Sequence, residues 1–196
     1  LLNLFANLTT DGLSTAIEAL SRGRANAAKA LDDAVKVTAF NAKNLLQKEI
    51  KRGIVGGQRV KELSHIAKRL GGRSATRSPL AGATAGVKYS VRKANPFTMA
   101  VGFIPEKSGG WVNMAEKHQK GFDREITPGL RKIIINRGGK LGTVEGGSSP
   151  FFLKRSTKRF KTPARPLVSP FWEHHHAQFE RDIIKNFKAK LAGERI

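Results

Sequence analysis

The stretch RANAAKALDDAVKVTAFNAKNLLQKEIKRG, residues 24–53, decides how the rest of the chain is read. Ala28, Leu31, Val35, Ala39, Ala42, Leu46 and Ile50 recur at spacings of three and four. That period places them in one stripe along an α-helix spanning Arg24 to Arg52. Gly53 supplies the usual stop just past a helix end. At 1.5 Å per residue the helix is about 43 Å long. A stripe so rich in alanine expects a sheet or a sister helix lying close against it.

Upstream, Leu1 to Leu8 reads LLNLFANL. It is apolar but short, with no basic lead and no small-residue cleavage pattern, so residues 1–10 are expected to be an arm rather than a signal peptide. The arm would pack on the body or on a neighbouring subunit. Thr10-Asp11-Gly12 offers an N-cap for a short helix from Leu13 to Ser21.

Downstream, residues 53–86 change character. Glycines and hydroxyl residues increase, a helix is conceivable from Gln58 to Leu70, and Gly71 to Gly86 reads as a mobile loop. Lys51 to Lys93 holds eleven basic residues against one acid, Glu62. Val87 to Arg92 then alternates apolar and polar side chains, and Phe97 to Ile104 does so through Phe103. With Ala94-Asn95-Pro96 turning between them, the two predict a β-hairpin. Trp111 to Lys120 reads as a short helix or irregular run ending at Gly121. Thr127 and Pro128 suit the N-cap and first position of another short helix, with a strand over Lys132 to Ile135 as the alternative. Gly138 to Pro150 is a glycine-rich loop, and Phe151 to Leu153 suggests a short strand.

The C-terminal part begins with TPARPLVSPFW, residues 162–172. Pro163 and Pro166 bracket Arg165 and hold the backbone extended. Ser169-Pro170 then opens a long amphipathic helix whose apolar face is Trp172, Phe179, Ile183, Phe187 and Leu191. Lys185, Lys188 and Lys190 lie towards its C-terminal end, where the helix dipole favours positive charge. The pattern predicts one α+β domain over residues 1–196. A long N-terminal helix and a C-terminal helix pack on a small antiparallel β-sheet, with extended basic loops.

Charge is the outlying bulk property. Thirty-six Lys and Arg face 15 Asp and Glu, for a net charge of +21. Such a balance asks for an acidic partner, either nucleic acid or an acidic protein surface. Arg69, Arg73, Arg77, Lys154, Arg155, Lys158, Arg159 and Lys161 are the candidate contacts. They suit phosphates, an acidic rim on another protein, or plain solvent, and the residues alone leave all three open. Cysteine is absent, which excludes disulfides, thiolate zinc sites and cysteine nucleophiles and suits a reducing cytoplasm. No apolar run approaches the roughly 20 residues of a spanning helix, so no membrane is expected.

Catalytic chemistry finds little support. His174-His175-His176 cannot converge on one ion, because consecutive helical residues fan out by about 100°. Glu173, His176 and Glu180 share a face and resemble half of a carboxylate–histidine site, but the second half is missing, and a polar stripe facing solvent or an interface is expected. GGKLGT at 138–143 lacks the first glycine and the hydroxyl residue of a phosphate loop. Neither a serine-nucleophile elbow nor an His-Glu-x-x-His motif occurs. No cofactor and no enzymatic activity are expected.

Two short signatures occur in order: Met114-Ala115-Glu116-Lys117-His118-Gln119-Lys120-Gly121, then Thr162-Pro163-Ala164-Arg165-Pro166-Leu167 shortly before the terminal helix. Together they resemble tailed-phage head–tail joining and tail-completion proteins, the virion morphogenesis and minor tail protein Z types. In that family a Tyr-Ala-x-x-His-x-x-Gly stretch precedes Pro-Ala-Arg-Pro-Phe. Met114 stands here for the Tyr and Leu167 for the Phe. The resemblance implies a ring subunit, six-fold favoured, at the neck or head-proximal tail end of a virion assembled in the host cytoplasm. It would touch neighbouring neck, tail-terminator or tail-tube proteins and the packaged DNA end. Candidate interface residues are His118, Pro163, Arg165, Pro166, Phe171 and Trp172. Between its prolines, Arg165 is placed to grip a carboxylate bidentately, within the fold or across an interface. The alternative is a non-enzymatic, basic nucleic-acid-binding protein.

Overall fold

A computed structural model describes residues 5–9, 25–62, 78, 80–92, 98–132 and 156–196. Helix α1 runs from Ala25 to Arg52, and Gly53 follows it at φ 74°, as the stop requires. Its inward stripe is Leu31, Ala34, Val35, Thr38, Ala39, Ala42, Leu46 and Ile50, each at most 2% exposed. Burying one such Leu, Val or Ile side chain is worth about 1.5–3 kcal/mol. Ala28 belongs to the sequence stripe but is exposed. Ala27 and Ala30 on either side of it are buried, so at this end the inward face is set by Ala27, Ala30, Leu31 and Ala34.

The last helix, α4 (Val168–Leu191), is the main neighbour of α1. Three contacts give their direction. Glu49 meets His175, Thr38 meets Asn186, and Asp33 meets Lys190. Numbers fall along α1 as they rise along α4, so the helices are antiparallel. Phe179, Ile183 and Phe187 of α4 enter the core, and Trp172 packs half-buried against it. Leu191, the last residue of α4, is 46% exposed.

Strands β1 (Phe5–Thr9), β4 (Lys88–Arg92) and β5 (Thr98–Gly102) form an antiparallel sheet in the order β1-β5-β4. The expected hairpin is β4–β5, with Lys88 opposite Gly102 and Arg92 opposite Thr98. Met99 and Val101, at 1% and 2% exposure, point at the helices. The expected N-terminal arm contributes more than an arm: Phe5–Thr9 pairs with β5 as an edge strand. The architecture is α+β, with two long helices packed against small antiparallel sheets.

The segment at 53–86 is drawn into the body at both ends. Gln58 does not start a helix. It belongs to β3 (Gln58–Arg59), which pairs with β2 (Ile54–Val55) around Gly56-Gly57. Both glycines have positive φ, which favours a tight hairpin over helix. Val55 and Val60 are buried on either side. Residues Ala81–Gly86 form a 3₁₀ helix rather than a mobile loop, with Leu80 and Ala83 buried. Gln47 of α1 donates from Nε2 to Thr84 O at 2.9 Å and so ties that turn to the long helix. The expected helix at 13–21, the turn at 94–96, and the loop and strand at 138–153 lie outside the described residues.

Helices α2 (Pro105–Ser108) and α3 (Trp111–Lys120) follow the sheet. Two strands not foreseen, β6 (Phe122–Glu125) and β7 (Arg159–Thr162), pair antiparallel as a ribbon. Residues 128–132 are helical, and Thr127 caps them, its Oγ1 accepting from Leu130 N at 3.2 Å.

Candidate interface around Arg165

The ribbon ends in a strap, 163–167, that feeds α4. Gly121 ends α3 at φ 75°. A Cβ there would stand 2.8 Å from both Ala164 N and Thr162 O, so the backbones of the two signatures touch at this glycine. One residue beyond the contact, Arg165 N donates to His118 O at 2.7 Å. Gln119 Nε2 adds a 3.2 Å bond to Ser169 Oγ. The stretches 114–121 and 162–169, some fifty residues apart, thus form one unit.

Arg165 is 3% exposed. Its Nε donates to Lys61 O at 2.7 Å and its Nη2 to Glu62 O at 2.9 Å. The expected carboxylate is replaced by two successive backbone carbonyls. The planar guanidinium fork matches that pair because consecutive carbonyls beyond β3 present two acceptors side by side. Burial lowers the Arg165 pKa from its ordinary value. Arg165 is therefore a brace between the 53–62 segment, α3 and the strap, and it is not on the surface.

His118 is half-buried with its ring edge-on to Phe122, centroids 5.3 Å apart. Its Nδ1 is buried and makes no hydrogen bond among the described residues. Burial first, and the Arg165 charge second, push its pKa below the usual histidine value. Phe171 is a core residue at 1% exposure and not an interface residue. Its ring meets those of His175 and Phe179. Pro163 and Pro166 are exposed, whereas Trp172 is partly buried against the core.

The histidine run is not a uniform polar stripe. His175 Nε2 lies 2.7 Å from Glu49 Oε1, with side chains only 12% and 16% exposed. Glu49 Oε2 accepts from Gly56 N at 2.8 Å. One carboxylate therefore joins α1, α4 and the β2–β3 hairpin. Gly56 is needed there, since a Cβ would fall 1.9 Å from Pro170 O. His174 packs on His175, and His176 lies 3.2 Å from the Trp172 and Glu173 carbonyls. Among the described residues no three His, Cys, Asp or Glu side chains group as metal ligands.

Of the candidate basic contacts, Lys158, Arg159 and Lys161 are exposed on or beside the ribbon. Arg159 stands opposite Glu125, and Lys161 opposite Asp123. Cross-strand partners of opposite sign attract each other, so this face of the ribbon is a mixed-charge ladder and not a purely cationic rail. Lys154, Arg155, Arg69, Arg73 and Arg77 lie outside the described residues.

Sequence reasoning missed Glu49, the carbonyls of Lys61 and Glu62, and the ribbon. Glu49 sits beside the apolar stripe like any surface glutamate, and nothing in its spacing points to a residue 126 positions away. Asp123 and Glu125, alternating opposite a basic run, were the one available signal for the ribbon. Comparisons with protein-family models, with curated proteins and with solved structures returned no match.

Proposed function

We propose that this protein is a structural ring subunit of a tailed phage, placed at the neck or head-proximal tail end, where it completes the tail and joins it to the head. One observation carries the reading. The two signatures on which the resemblance rests pack on each other through Gly121, His118 and Arg165. That gives the paired motifs a shared physical task, namely to aim α4 and to present the exposed Pro163 and Pro166 as an outward face. Weak contacts through such a face gain strength when repeated around a closed ring, the usual solution for identical subunits. Neighbouring neck, tail-terminator or tail-tube proteins, and the packaged DNA end, are the partners on this reading.

The net charge of +21 favours a second reading, a non-enzymatic nucleic-acid-binding protein. One pair of measurements separates them. Native mass spectrometry and negative-stain imaging should give a closed ring that binds purified tails or connectors. A strictly monomeric protein that ignores both, yet binds duplex DNA with a steep salt dependence, would sink the ring and leave the second reading.

A further inference from the structure

Strand β4 is an edge of the three-stranded sheet, and no described strand lies on its outer side. Its register divides its side chains between two faces. Tyr89 and Val91 pair with Val101 and Met99, so they share the helix-side face. Lys88, Ser90 and Arg92 pair with Gly102, Ala100 and Thr98 and take the opposite face. On the helix side the sheet does not end at Tyr89. Phe40 of α1, 46% exposed, sets its ring edge-on to Tyr89 with centroids 6.2 Å apart. Lys43 Nζ lies 4.5 Å over the Phe40 ring, and Lys36 is one turn earlier on the same helix face.

An apolar shelf thus continues past the last strand, with cations around it. The Tyr89 carbonyl, pointing outward from the edge, accepts a bond from Lys107 Nζ at 3.1 Å. This exposed, flexible ammonium stands where a further strand would place a backbone N–H. The nearby acids are already engaged: Asp32 with Lys36 at 2.8 Å and Glu106 with Arg92 at 3.5 Å.

We infer that the β4 edge and the Phe40 shelf form a docking site for an extended acidic segment of another protein, added as a fourth strand. The chemistry of that segment follows from the register. Side chains turned to the helix side meet Phe40, Tyr89 and Val91 and must be apolar. Those turned to the other side run beside Lys88 and Arg92 and must be Asp or Glu. The ligand is a segment of about five residues alternating apolar and acidic, a form of strand addition. A second copy of the chain is a poor occupant, because β6, the described strand that carries acidic residues, is already paired with β7. The inference stands apart from the ring reading, since it concerns one subunit and one peptide.

The experiment uses the full chain and a fluorescent peptide of alternating Val and Glu. Anisotropy should show binding that weakens with salt. A peptide of the same composition with its Val and Glu in two blocks should bind about tenfold more weakly. Phe40→Ala, an exposed change that leaves the core intact, should cost about tenfold as well. N-methylation of alternate peptide residues should abolish binding in one register and spare it in the other, because only one set of amides faces β4. Equal binding of the blocked peptide, or indifference to both N-methyl registers, would overturn strand addition. So would duplex DNA, instead of the peptide, protecting the Tyr89 and Val91 amides from exchange.

Discussion

The backbone N–H of Arg165 donates to the carbonyl of His118 at 2.7 Å, while its guanidinium reaches back to the carbonyls of Lys61 and Glu62. Three segments distant in sequence meet at this one residue. A surface arginine in a proline-rich loop would be replaceable, and this one is not. Arg165→Ala leaves two carbonyls without their donors and should destabilise the domain by about 2–4 kcal/mol in urea unfolding. Arg165→Lys should recover only part of that, because an ammonium cannot present the planar fork. A loss of assembly in either variant with unchanged unfolding would contradict the bracing role.

His118 gives the same unit a pH dependence. Its folded pKa lies below the usual value, through burial and then the Arg165 charge. The unfolded chain therefore binds its proton first, so the His118 contribution to stability is full above about pH 6.5 and falls as the pH drops through the folded pKa. Replacing the ring with one that cannot titrate should remove that component. His118→Phe keeps an aromatic edge against Phe122. Its melting temperature should fall less than that of the parent between pH 7 and pH 5. Parallel curves for the two proteins would rule the contribution out.

Gly121 and Gly56 are places where the chain passes too close for a side chain. Gly121→Ala must fit a methyl group 2.8 Å from two backbone atoms at a φ that disfavours it. It should cost about 1–3 kcal/mol. Gly56→Ala, facing the Pro170 carbonyl at 1.9 Å, should cost more. Gly129→Ala, with nothing within 4 Å, should be close to neutral. Calorimetric melting temperatures of the three variants check the order.

Glu49 should be the most sensitive charged residue of α1. Its two oxygens serve His175 and the Gly56 amide separately. Glu49→Ala abandons both and should destabilise by about 2–3 kcal/mol, whereas Glu49→Gln keeps an acceptor for one of them and should cost less. Amide exchange at Gly56 reports the hairpin contact directly, and it should accelerate in the alanine variant.

The ribbon charges offer a sharper view of the basic surface. If Arg159 and Lys161 mainly answer Glu125 and Asp123 across the strands, then replacing both with Gln should lower stability slightly. The salt slope of any DNA binding should then change by less than the value near two expected for two phosphate contacts. A drop of about two in that slope would place both residues on phosphates.

How much of this was legible in the chain itself depended on range. Helix α1, its glycine stop, the β4–β5 hairpin, the Thr127 cap and the apolar face of α4 all rest on periods and turn residues within a few positions. Local sterics and amphipathic burial act at that distance, so the sequence by itself determined these elements and the α+β class. It also placed Arg165 between two prolines and paired that stretch with 114–121. It did not determine what Arg165 grips, which histidine of the run is buried, that Phe171 belongs to the core, or that residues 5–9 complete a sheet. Each of these depends on which backbone atoms lie within about 3 Å after the chain has folded. Only the antiparallel packing of α1 on α4 brings Glu49 to His175, and only the folded chain sets the Lys61 and Glu62 carbonyls against Arg165. A hydrogen bond is too short-ranged to leave a trace in residue spacing across a hundred positions, so the tertiary structure alone decided them.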